Sequence, residues 1–382
     1  MKKIVFGITS LTLGGAERVL VDMVNALKNQ YDITLFVLYA GGEFEKSVDD
    51  SIPIIHVCER SYQELTKWKK FKMSWKCLMG RKKIYRQYLQ GKYDQVISFL
   101  EGPVMRIFAT PDSKTEKIAW LHNDMARVYG EGWKSKIKLK IDQKMYQNFQ
   151  KIAFVSKDNQ ESFAKLYPEI WEDPHIEKMV LYNYIEAKSI LEKAEKKVVP
   201  PIKDSCFQIV TVTRLVEQKA IDRLIRVHAR LIRNGFYHKI YVIGDGPEKE
   251  NLYDLIQGLS VSDTFTLMGK KTNPYPYMKQ ADLFALCSAY EGYGMVLEEA
   301  KILNKSILIT DTAAREAVKD YPNVTIVPNT EEAIYQTLHH ILQAPDELEK
   351  KKVEYHYNNQ ERIQAIMTFL DEKNAKRKEE LI

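Results

Sequence analysis

Short apolar segments alternate with amphipathic helical segments along most of the chain, and this alternation constrains the fold more than any other feature. In the first half the apolar segments are residues 3–8, 32–39, 52–57, 93–100, 117–122 and 151–156. In the second half they are residues 207–215, 239–247, 264–269, 281–288 and 306–311. Strands that are separated by helices form parallel sheets covered on both faces. The sequence therefore predicts an α/β fold of doubly wound parallel sheets.

The length of the chain predicts two such domains. Its 382 residues exceed the usual size of one hydrophobic core. Segment 190–204 is charged and then contains Pro200-Pro201, as expected of a linker. Segment 179–186 leaves the crossover open, because it also suits the first strand of the second domain. We expect two Rossmann-like domains facing a cleft, then a helix packing back toward the first domain or a charged tail, at residues 1–182, 183–355 and 356–382.

Cysteine content, apolar runs and acidic motifs exclude several classes of protein. Four scattered cysteines with no C-x-x-C indicate neither a disulfide framework nor a zinc site, and they fit a reducing compartment. No apolar run approaches the ~18–20 residues that span a bilayer. Residues 1–16 have some features of a signal peptide, but they also suit a buried first strand that continues into a helix. The cysteines and the lack of a spanning run lead us to expect a cytoplasmic protein. No D-x-D or metal-spaced cluster occurs, so we expect it to be metal-independent.

Two turns at predicted strand ends carry groups suited to an anion. Gly14-Gly15 precede a helix N-terminus, where close backbone approach and exposed amides favour an anion, although a packing turn is an equal alternative. Arg214 lies at the carboxyl end of a predicted strand and Lys219 stands five residues later, just before a helix, so the two cations suit a diphosphate. From position and spacing alone, two solvated surface cations are the commoner outcome.

Three further turns gain meaning only in combination. His122 ends a strand, where a lone histidine is more often structural than catalytic. The G-D-G-P turn at 244–247, taken alone, indicates only a tight strand-to-helix turn. In "EGYGMVLEEA", Glu291 stands at a Gly-rich turn and Glu299 two helical turns later, which fits either a surface helix or two carboxylates holding the ends of a ligand.

In this order the motifs resemble the family-4 retaining glycosyltransferases of the GT-B fold, in particular bacterial capsule and exopolysaccharide enzymes. The resemblance is strong from about 207 to 320 and looser before 180. The matching segments are GGAERVL (14–20), WLHND (120–124), VTRLVEQKAIDRLI (212–225), IGDGPEKENL (243–252) and ADLFALCSAYEGYGMVLEEA (281–300).

The resemblance implies a donor site formed mainly by the second domain. It places Glu291 at the donor sugar hydroxyls near the reacting carbon, and Glu299 at the nucleotide ribose hydroxyls. Arg214 and Lys219 match the basic pair that grips the donor diphosphate.

The resemblance also implies backbone and first-domain contacts. Gly294 and the amides of Met295 and Val296 match a turn that contacts phosphate and sugar. His122 matches a histidine near the reaction centre, and Gly15 matches a loop that approaches donor and acceptor.

Three departures from the family pattern put the fine donor geometry in doubt. Asn304 and Ser306 stand where the family commonly has Gly and Pro, and Ala220 stands where a glycine usually follows Lys219. Segment 312–318 replaces a usual Gly-Gly turn before a glutamate.

Two basic, aromatic-rich stretches in the first domain point to the acceptor. Residues 67–92 carry no acidic side chain, and residues 133–151 have similar character. Such stretches suit an anionic membrane surface, although a solvated helical face is the alternative. No nucleic-acid module is present, so we expect no nucleic-acid partner. We expect instead a lipid-linked or other glycan acceptor and an enzyme that rests on the cytoplasmic face of the plasma membrane.

The sequence therefore predicts a retaining glycosyltransferase that moves a sugar from a nucleotide diphosphate sugar, with UDP the expected nucleotide, in surface polysaccharide biosynthesis. No cofactor beyond this substrate is expected. The alternatives are a non-catalytic partner subunit of a glycosyltransferase complex and a GT-B epimerase or phosphorylase. The sequence does not identify the sugar, the nucleotide base or the acceptor hydroxyl.

Overall fold

The computed structural model describes residues 1–12, 14–123, 130, 132–198, 202, 206–350 and 352–372. The chain forms two compact units, one made of Met1–Ile185 with the segment that begins at Asn359, the other of Glu186–Asn358. Pro200 and Pro201 of the predicted linker lie outside the described residues, as do Asp124 and residues 373–382.

The first unit contains a seven-stranded parallel sheet of order β3-β2-β1-β4-β5-β6-β7. In β1, an interior strand, Ile4 lies opposite Ile33 of one neighbour and Gln95 of the other. Segment 179–186, whose assignment was open, contributes the end of the seventh strand, which pairs with the sixth. The strands are β1 (Lys3–Ile8), β2 (Asp32–Tyr39), β3 (Ile54–Cys58), β4 (Gln95–Ser98), β5 (Glu116–Leu121), β6 (Lys151–Phe154) and β7 (Glu177–Val180).

The second unit contains a six-stranded parallel sheet of order β10-β9-β8-β11-β12-β13. The strand order reverses between β8 and β11, so the loops that follow these neighbouring strands diverge at a topological switch point, where ligands of such sheets bind. The strands are β8 (Phe207–Val212), β9 (His238–Ile243), β10 (Phe265–Leu267), β11 (Leu283–Leu286), β12 (Ser306–Thr310) and β13 (Val324–Val327).

The helices of the described residues connect these strands. Short 3-10 segments occur at Glu43–Ser47 and Glu217–Lys219. The helices are α1 (Gly15–Leu27), α2 (Lys67–Met79), α3 (Arg81–Tyr88), α4 (Pro103–Phe108), α5 (Trp133–Tyr146), α6 (Lys157–Leu166), α7 (Pro168–Glu172), α8 (Ala187–Ala194), α9 (Ile221–Arg233), α10 (Lys249–Gly258), α11 (Tyr275–Gln280), α12 (Met295–Ile302), α13 (Arg315–Val318), α14 (Glu331–Gln343), α15 (Pro345–Lys350) and α16 (Asn359–Asp371). None of them combines the length and apolar character needed to cross a bilayer.

Helix α9 illustrates how the sequence pattern fixes an element of the second unit. Leu224, Ile225 and Leu231 are each at most 1% exposed. Their spacing places them on one helical face, so each contributes about 1.5–3 kcal/mol by burial. Gly235, with φ +87°, follows the helix in a left-handed conformation that favours glycine. The helix therefore ends where the sequence predicts.

Helix α16 packs on the first unit although it follows the second in sequence. Its Phe369 and Leu370 side chains are fully buried. The Leu370 carbonyl accepts a hydrogen bond from Gln95 Nε2 at 2.7 Å, and the Phe369 carbonyl accepts one from Lys151 Nζ at 2.6 Å. Both donors begin strands of the first sheet, so they satisfy carbonyls that the helix end leaves unpaired.

Candidate donor site

The loops that follow β8 and β11 bring two of the predicted site residues together. These strands are neighbours, with Phe284 opposite Val210. Lys219 ends the 3-10 turn after β8, and its Nζ forms an ion pair with Glu291 Oε1 in the loop after β11. The two side chains are only 13% and 8% exposed, so water screens the attraction between them weakly.

Gln218, which the sequence analysis did not identify, joins the two loops. The Ala289 amide donates to the Gln218 carbonyl at 3.0 Å. The Gln218 side-chain amide donates to the Tyr290 carbonyl at 3.1 Å and lies 3.5 Å from Glu291 Oε2. Two side chains of the loop after β8, Lys219 and Gln218, therefore contact Glu291.

Two residues that the sequence analysis did not single out, Arg223 and Asn329, stabilise the Glu291 loop. Arg223 of α9 donates to the Cys287 carbonyl at 2.7 Å, and Asn329 Nδ2 donates to the Ala289 carbonyl at 2.6 Å. Both hydrogen bonds are accepted by backbone carbonyls. Because every residue has such a carbonyl, the sequence does not indicate which ones these side chains bind. Burial raises the pKa of the Cys287 thiol to about 12, so this cysteine stays protonated at neutral pH.

The G-D-G-P turn positions the backbone around Arg214. The Leu215 amide donates to the Asp245 carbonyl at 3.0 Å. A Cβ atom at Gly244 would lie 1.7 Å from the Thr213 carbonyl oxygen, and one at Gly246 would lie 2.2 Å from the Leu215 carbonyl oxygen. Glycine is thus required for this backbone contact. The Arg214 side chain itself is exposed, and no described residue pairs with it.

Gly294 precedes the first residue of α12 in a conformation that favours glycine. Its φ and ψ are 70° and 69°, and no side chain caps the helix N-terminus. Met295 and Val296 follow as the first two residues of the helix. The N-terminal amides of a helix carry partial positive charge, which favours an anion or a polar oxygen at this position.

The adjacent residues Glu298 and Glu299 point to different surroundings. Glu299 is half-buried and accepts a hydrogen bond from the Tyr275 hydroxyl at 2.9 Å. Glu298 is fully buried, accepts a hydrogen bond from the Tyr293 hydroxyl and lies 3.0 Å from Lys301 Nζ. Glu298 is therefore part of the interior of the second unit, whereas Glu299 remains a candidate ligand-binding carboxylate.

The departures from the family pattern have different backbone consequences. Ala220 has φ +47° and Asn304 has φ +49°, so both occupy the left-handed region. Asparagine tolerates this region, but alanine places its Cβ against backbone there. Ala314, in the segment that replaces a Gly-Gly turn, has φ −60° and needs no glycine. Strain is therefore expected at Ala220, directly after Lys219.

His122 lies in the first unit, immediately after β5. Its ring packs on Phe99 with centroids 4.6 Å apart, and its buried Nε2 has no hydrogen-bond partner among the described residues. Burial lowers the pKa of His122 to about 3, so the ring is neutral at pH 7. It can exchange a hydrogen bond with a ligand but carries no positive charge.

Glu101 supports the His122 backbone and was not identified from the sequence. The amides of His122 and Asn123 each donate to Glu101 Oε1 at 2.8 Å. Burial raises the pKa of Glu101, although these hydrogen bonds oppose the effect. No local motif surrounds Glu101, because its partners, two backbone amides and the Asn123 side chain, follow another strand.

Gly15 is the first residue of α1, in the loop that follows β1. Gly14 caps the helix with an extended backbone, φ −144°, so neither a positive φ nor a side-chain cap explains the Gly-Gly pair. Strands β1, β4 and β5 are neighbours, so the loops with Gly15, Glu101 and His122 share one edge of the first sheet.

Within the described residues, no group of three His, Cys, Asp or Glu side chains is arranged to hold a metal ion. Metal independence nevertheless stays a prediction, as do the roles of the individual site residues.

Residues 192–362 match the protein-family model described as "Glycosyl transferases group 1". The two Rossmann-like units with parallel sheets, together with the solved structures described below, show an α/β fold of the GT-B type.

The most similar relatives include named glycosyltransferases. The chain is 32% identical over 174 residues to the "N-acetylgalactosamine-N,N'-diacetylbacillosaminyl-diphospho-undecaprenol 4-alpha-N-acetylgalactosaminyltransferase" of Campylobacter jejuni, covering 45% of this chain and 46% of the relative. It is 27% identical over 225 residues to an uncharacterized glycosyltransferase of Methanocaldococcus jannaschii, covering 56% and 53%. The chain thus spans about half the length of these two relatives.

Solved structures share the fold over nearly the whole chain. HepE of Anabaena, solved in complex with UDP and glucose, has a TM-score of 0.74 and 16% identity, covering 98% of this chain and all of that one. WaaG, "a glycosyltransferase involved in lipopolysaccharide biosynthesis", has a TM-score of 0.68 and 13% identity, covering 97% and 100%. At such low identity the likeness shows the fold alone.

Proposed function

We propose that this chain is a retaining glycosyltransferase that moves one sugar from a UDP-sugar to a lipid-linked glycan in surface polysaccharide biosynthesis. The observation that carries the proposal is the buried Lys219–Glu291 pair at the switch point of the second sheet. Arg214, an exposed cation with no partner among the described residues, follows β8, as Lys219 does. A family match over residues 192–362 supports the same activity.

The donor site works through charge and hydroxyl recognition. Arg214 and Lys219 bind the diphosphate, and α12 directs its N-terminus toward the negative charge that grows on the leaving group. Glu291 accepts hydroxyl protons from the donor sugar, and Glu299 accepts them from the ribose. When the diphosphate draws Lys219 toward it, Glu291 oxygens become available to the sugar.

The stereochemical course follows from the family resemblance. No protein nucleophile is assigned, and the acceptor attacks on the face from which the diphosphate leaves, with the leaving phosphate assisting deprotonation. His122 contributes a neutral ring, because burial lowers its pKa to about 3. It therefore positions a sugar hydroxyl and does not act as a cationic acid. Metal independence is part of the proposal, since the cations and the helix N-terminus neutralise the diphosphate.

UDP is proposed as the nucleotide because HepE, which shares the fold, was solved with UDP and glucose. A lipid-linked acceptor is proposed because the name of the Campylobacter jejuni relative specifies an undecaprenol-linked substrate.

Exposed apolar side chains on α2 support a membrane-bound acceptor. Trp68, Trp75 and Met79 are 70%, 57% and 66% exposed. With the exposed Lys72 they stand at positions i, i+4, i+7 and i+11, which places them along one helical face. Tryptophan beside lysine suits the interface of an anionic bilayer.

Helix α5 carries a second stripe of the same kind. Trp133 and Ile137 are 69% and 50% exposed, and Lys136 and Lys140 lie on the same face. Helices α2 and α5 both pack against α4 within the first unit. We propose that these helices hold the enzyme on the cytoplasmic face of the membrane.

Donor turnover tests the catalytic proposal. UDP release from nucleotide sugars, first selected by thermal shift, is measured for wild type, Glu291→Gln and Lys219→Met. Each variant should lose about 100-fold or more in turnover, because each removes a charged contact made to the reacting donor. Lys319→Met, an exposed lysine of the same unit, is the matched control. Full activity in both site variants would contradict the proposed site.

Vesicle binding tests the membrane proposal separately. Wild type should co-sediment with vesicles containing anionic phosphatidylglycerol and much less with neutral phosphatidylcholine. Replacing both Trp68 and Trp75 by serine should reduce recovery on anionic vesicles. Equal recovery on the two kinds of vesicle contradicts the proposed electrostatic attachment.

A further inference from the structure

A cavity of about 400 Å³ opens in the first unit between the end of β3 and helix α2. Its apolar lining comes from Cys58, Leu65 and Met73. Leu65 is 7% exposed, and the other two are half-buried. The cavity therefore has a fixed apolar floor that can cover a short hydrocarbon segment.

Three cations line the same cavity. Arg60, Lys69 and Lys72 are exposed, and none of their side chains forms an ion pair or hydrogen bond with a described residue. Lys69 and Lys72 are three residues apart on α2, so they lie side by side. The acidic lining residue, Glu59, has its carboxylate 4.0 Å from His56 Nδ1. The cavity thus combines an apolar floor with an excess of unpaired positive charge.

The cavity shares a sheet edge with the predicted catalytic loops of the first unit. The Ala40 amide, which follows β2, donates to the Cys58 carbonyl at 3.0 Å, and the Tyr39 amide donates to the Thr9 carbonyl at 3.0 Å. The end of β3 is therefore two strands from the loop that holds Gly15, or about 10 Å at the usual strand spacing.

The cavity also adjoins the exposed stripe of α2. Lys72 lines the cavity and belongs to the stripe with Trp68 and Trp75. A ligand anchored in a bilayer that contacts this stripe can reach the cations without leaving the membrane interface.

We propose that this cavity binds the isoprenoid diphosphate of a lipid-linked acceptor. Arg60 grips two phosphate oxygens, Lys69 and Lys72 add point charges, and the carbon chain nearest the diphosphate lies on Leu65 and Met73. The glycan then extends along the sheet edge toward Gly15. This assignment rests on the proposed function, because it supplies the acceptor end of that reaction.

The test measures binding of farnesyl diphosphate to the full chain by titration calorimetry. Lys69→Glu/Lys72→Glu should weaken binding roughly tenfold or more, because two attractive charges become repulsive. Lys82→Glu/Lys83→Glu on α3 makes the same charge change in exposed residues outside the cavity and should bind as wild type. Farnesol and inorganic diphosphate, each lacking half of the ligand, should each bind at least about tenfold more weakly than farnesyl diphosphate.

Three results would overturn the assignment. They are unchanged binding in the Lys69/Lys72 variant, an equal loss in the Lys82/Lys83 control, and inorganic diphosphate that binds as tightly as farnesyl diphosphate. The UDP-induced thermal shift is measured on the same proteins and should be unchanged in the Lys69/Lys72 variant, because the proposed donor site belongs to the second unit. Absence of donor turnover in wild type contradicts the proposed function. If turnover is present but the expected differences in farnesyl diphosphate binding are not, only the assignment of the cavity is contradicted.

Discussion

At the residue scale, Glu298 and Glu299 show how neighbouring side chains of one helix are used for different purposes. Glu298 is fully buried with Tyr293 and Lys301, and Lys301 also donates to the Ala317 carbonyl at 2.7 Å. Glu299 contacts Tyr275 and remains half-buried. Successive helical residues point about 100° apart, which separates the two environments.

Alanine at each position should therefore give opposite phenotypes. Glu298→Ala should lower the free energy of unfolding by about 3 kcal/mol, because it leaves Lys301 buried without its charge partner. Glu299→Ala should cost about 1 kcal/mol through the Tyr275 hydroxyl, yet abolish the UDP-induced thermal shift. Urea unfolding followed by far-UV circular dichroism, with UDP titration, measures both. The opposite result would reverse the assignment of the two glutamates. It would be a folded Glu298→Ala variant that does not bind UDP and a Glu299→Ala variant that still does.

Backbone strain gives a second prediction at this scale. Ala220→Gly should raise the free energy of unfolding by about 0.5–1 kcal/mol. Removing Cβ relieves the strain of the left-handed backbone at this position. We expect this gain to exceed the entropic cost of ordering a more flexible glycine. Asn304→Gly is the matched control, since asparagine already tolerates that conformation. Thermal unfolding of both variants checks the difference. A gain at Asn304 equal to that at Ala220 contradicts the strain argument.

Side chains that carry a motif were predictable, whereas those that support them were not. Lys219 and Glu291 were both named from the sequence, and the structure joins them in an ion pair between the loops after β8 and β11. Gln218, Glu101 and Arg223 were not found, because their partners include backbone groups that become neighbours only when the strands assemble. Their positions follow from tertiary contacts and not from local sequence.

At the element scale, a buried histidine pair joins α9 to β9 in the second unit. His238 Nδ1 donates to the Phe236 carbonyl at 2.9 Å, so its Nε2 accepts from His228 Nδ1, also at 2.9 Å. His228 Nε2 lies 2.8 Å from the Thr264 hydroxyl. Burial, and then the neighbouring His238, lower the pKa of His228 to about 3, and burial lowers that of His238. Both rings are therefore neutral in the folded chain at pH 7.

This pair makes the second unit sensitive to acid. The folded pKa of His228 lies below its unfolded value of about 6.5, so its contribution is present above that pH and is lost as pH falls. Between pH 7 and pH 5 the contribution of His228 to the free energy of unfolding should fall by about 2 kcal/mol. Hydrogen exchange of peptides covering 221–243 at pH 7, 6 and 5, after correction for intrinsic exchange rates, measures it. In the His228→Gln variant, the free energy of opening should fall by about 2 kcal/mol less than in wild type between pH 7 and pH 5, because glutamine does not titrate. An equal fall in wild type and variant would contradict the role of His228.

The elements themselves were predictable where periodicity is strong. Strands β1 and β2 occupy the predicted residues, because buried central strands form continuous apolar runs. The predicted strand 207–215 ends earlier, at Val212, since its last residues turn to meet the G-D-G-P loop. Strand β13 was missed because it lies at a sheet edge and only Val327 in it is fully buried, so its apolar pattern is weak.

At the scale of the whole molecule, the first unit depends on residues from the far end of the chain. Lys151 is fully buried, bonds to the Phe369 carbonyl of α16, and lies 3.8 Å from carboxylate oxygens of Glu116 and Glu177. Tyr31 donates to Asp371 at 2.9 Å. These contacts gather at the starting edge of the first sheet, where strand-borne donors meet the C-terminal carbonyls of the helix.

The distribution of tryptophan allows the two units to be followed separately. All five tryptophans belong to the first unit, at Trp68, Trp75, Trp120, Trp133 and Trp171. Tryptophan fluorescence therefore reports unfolding of the first unit, whereas a UDP-induced thermal shift reports the proposed site of the second.

A chain truncated after Asn358 should lose stability in the first unit while keeping the donor site. Removing α16 exposes the apolar surface that buries Phe369 and Leu370, worth about 1.5–3 kcal/mol per side chain. It also leaves the Lys151 ammonium without its carbonyl partners, so the total loss should exceed about 4 kcal/mol. The urea midpoint of tryptophan fluorescence should fall accordingly, and UDP should still bind.

Truncation after Glu372 is the matched control, because it retains α16 with its partners and should leave the midpoint unchanged. If removal of residues 359–372 also leaves the midpoint unchanged, the contacts of Lys151 and Gln95 with the helix end do not stabilise the first unit. If fluorescence is unchanged but UDP binding disappears, the helix instead supports the second unit. A fall in the midpoint with UDP binding retained is the result that the topology predicts, since the last described helix completes the first unit after the chain has formed the second.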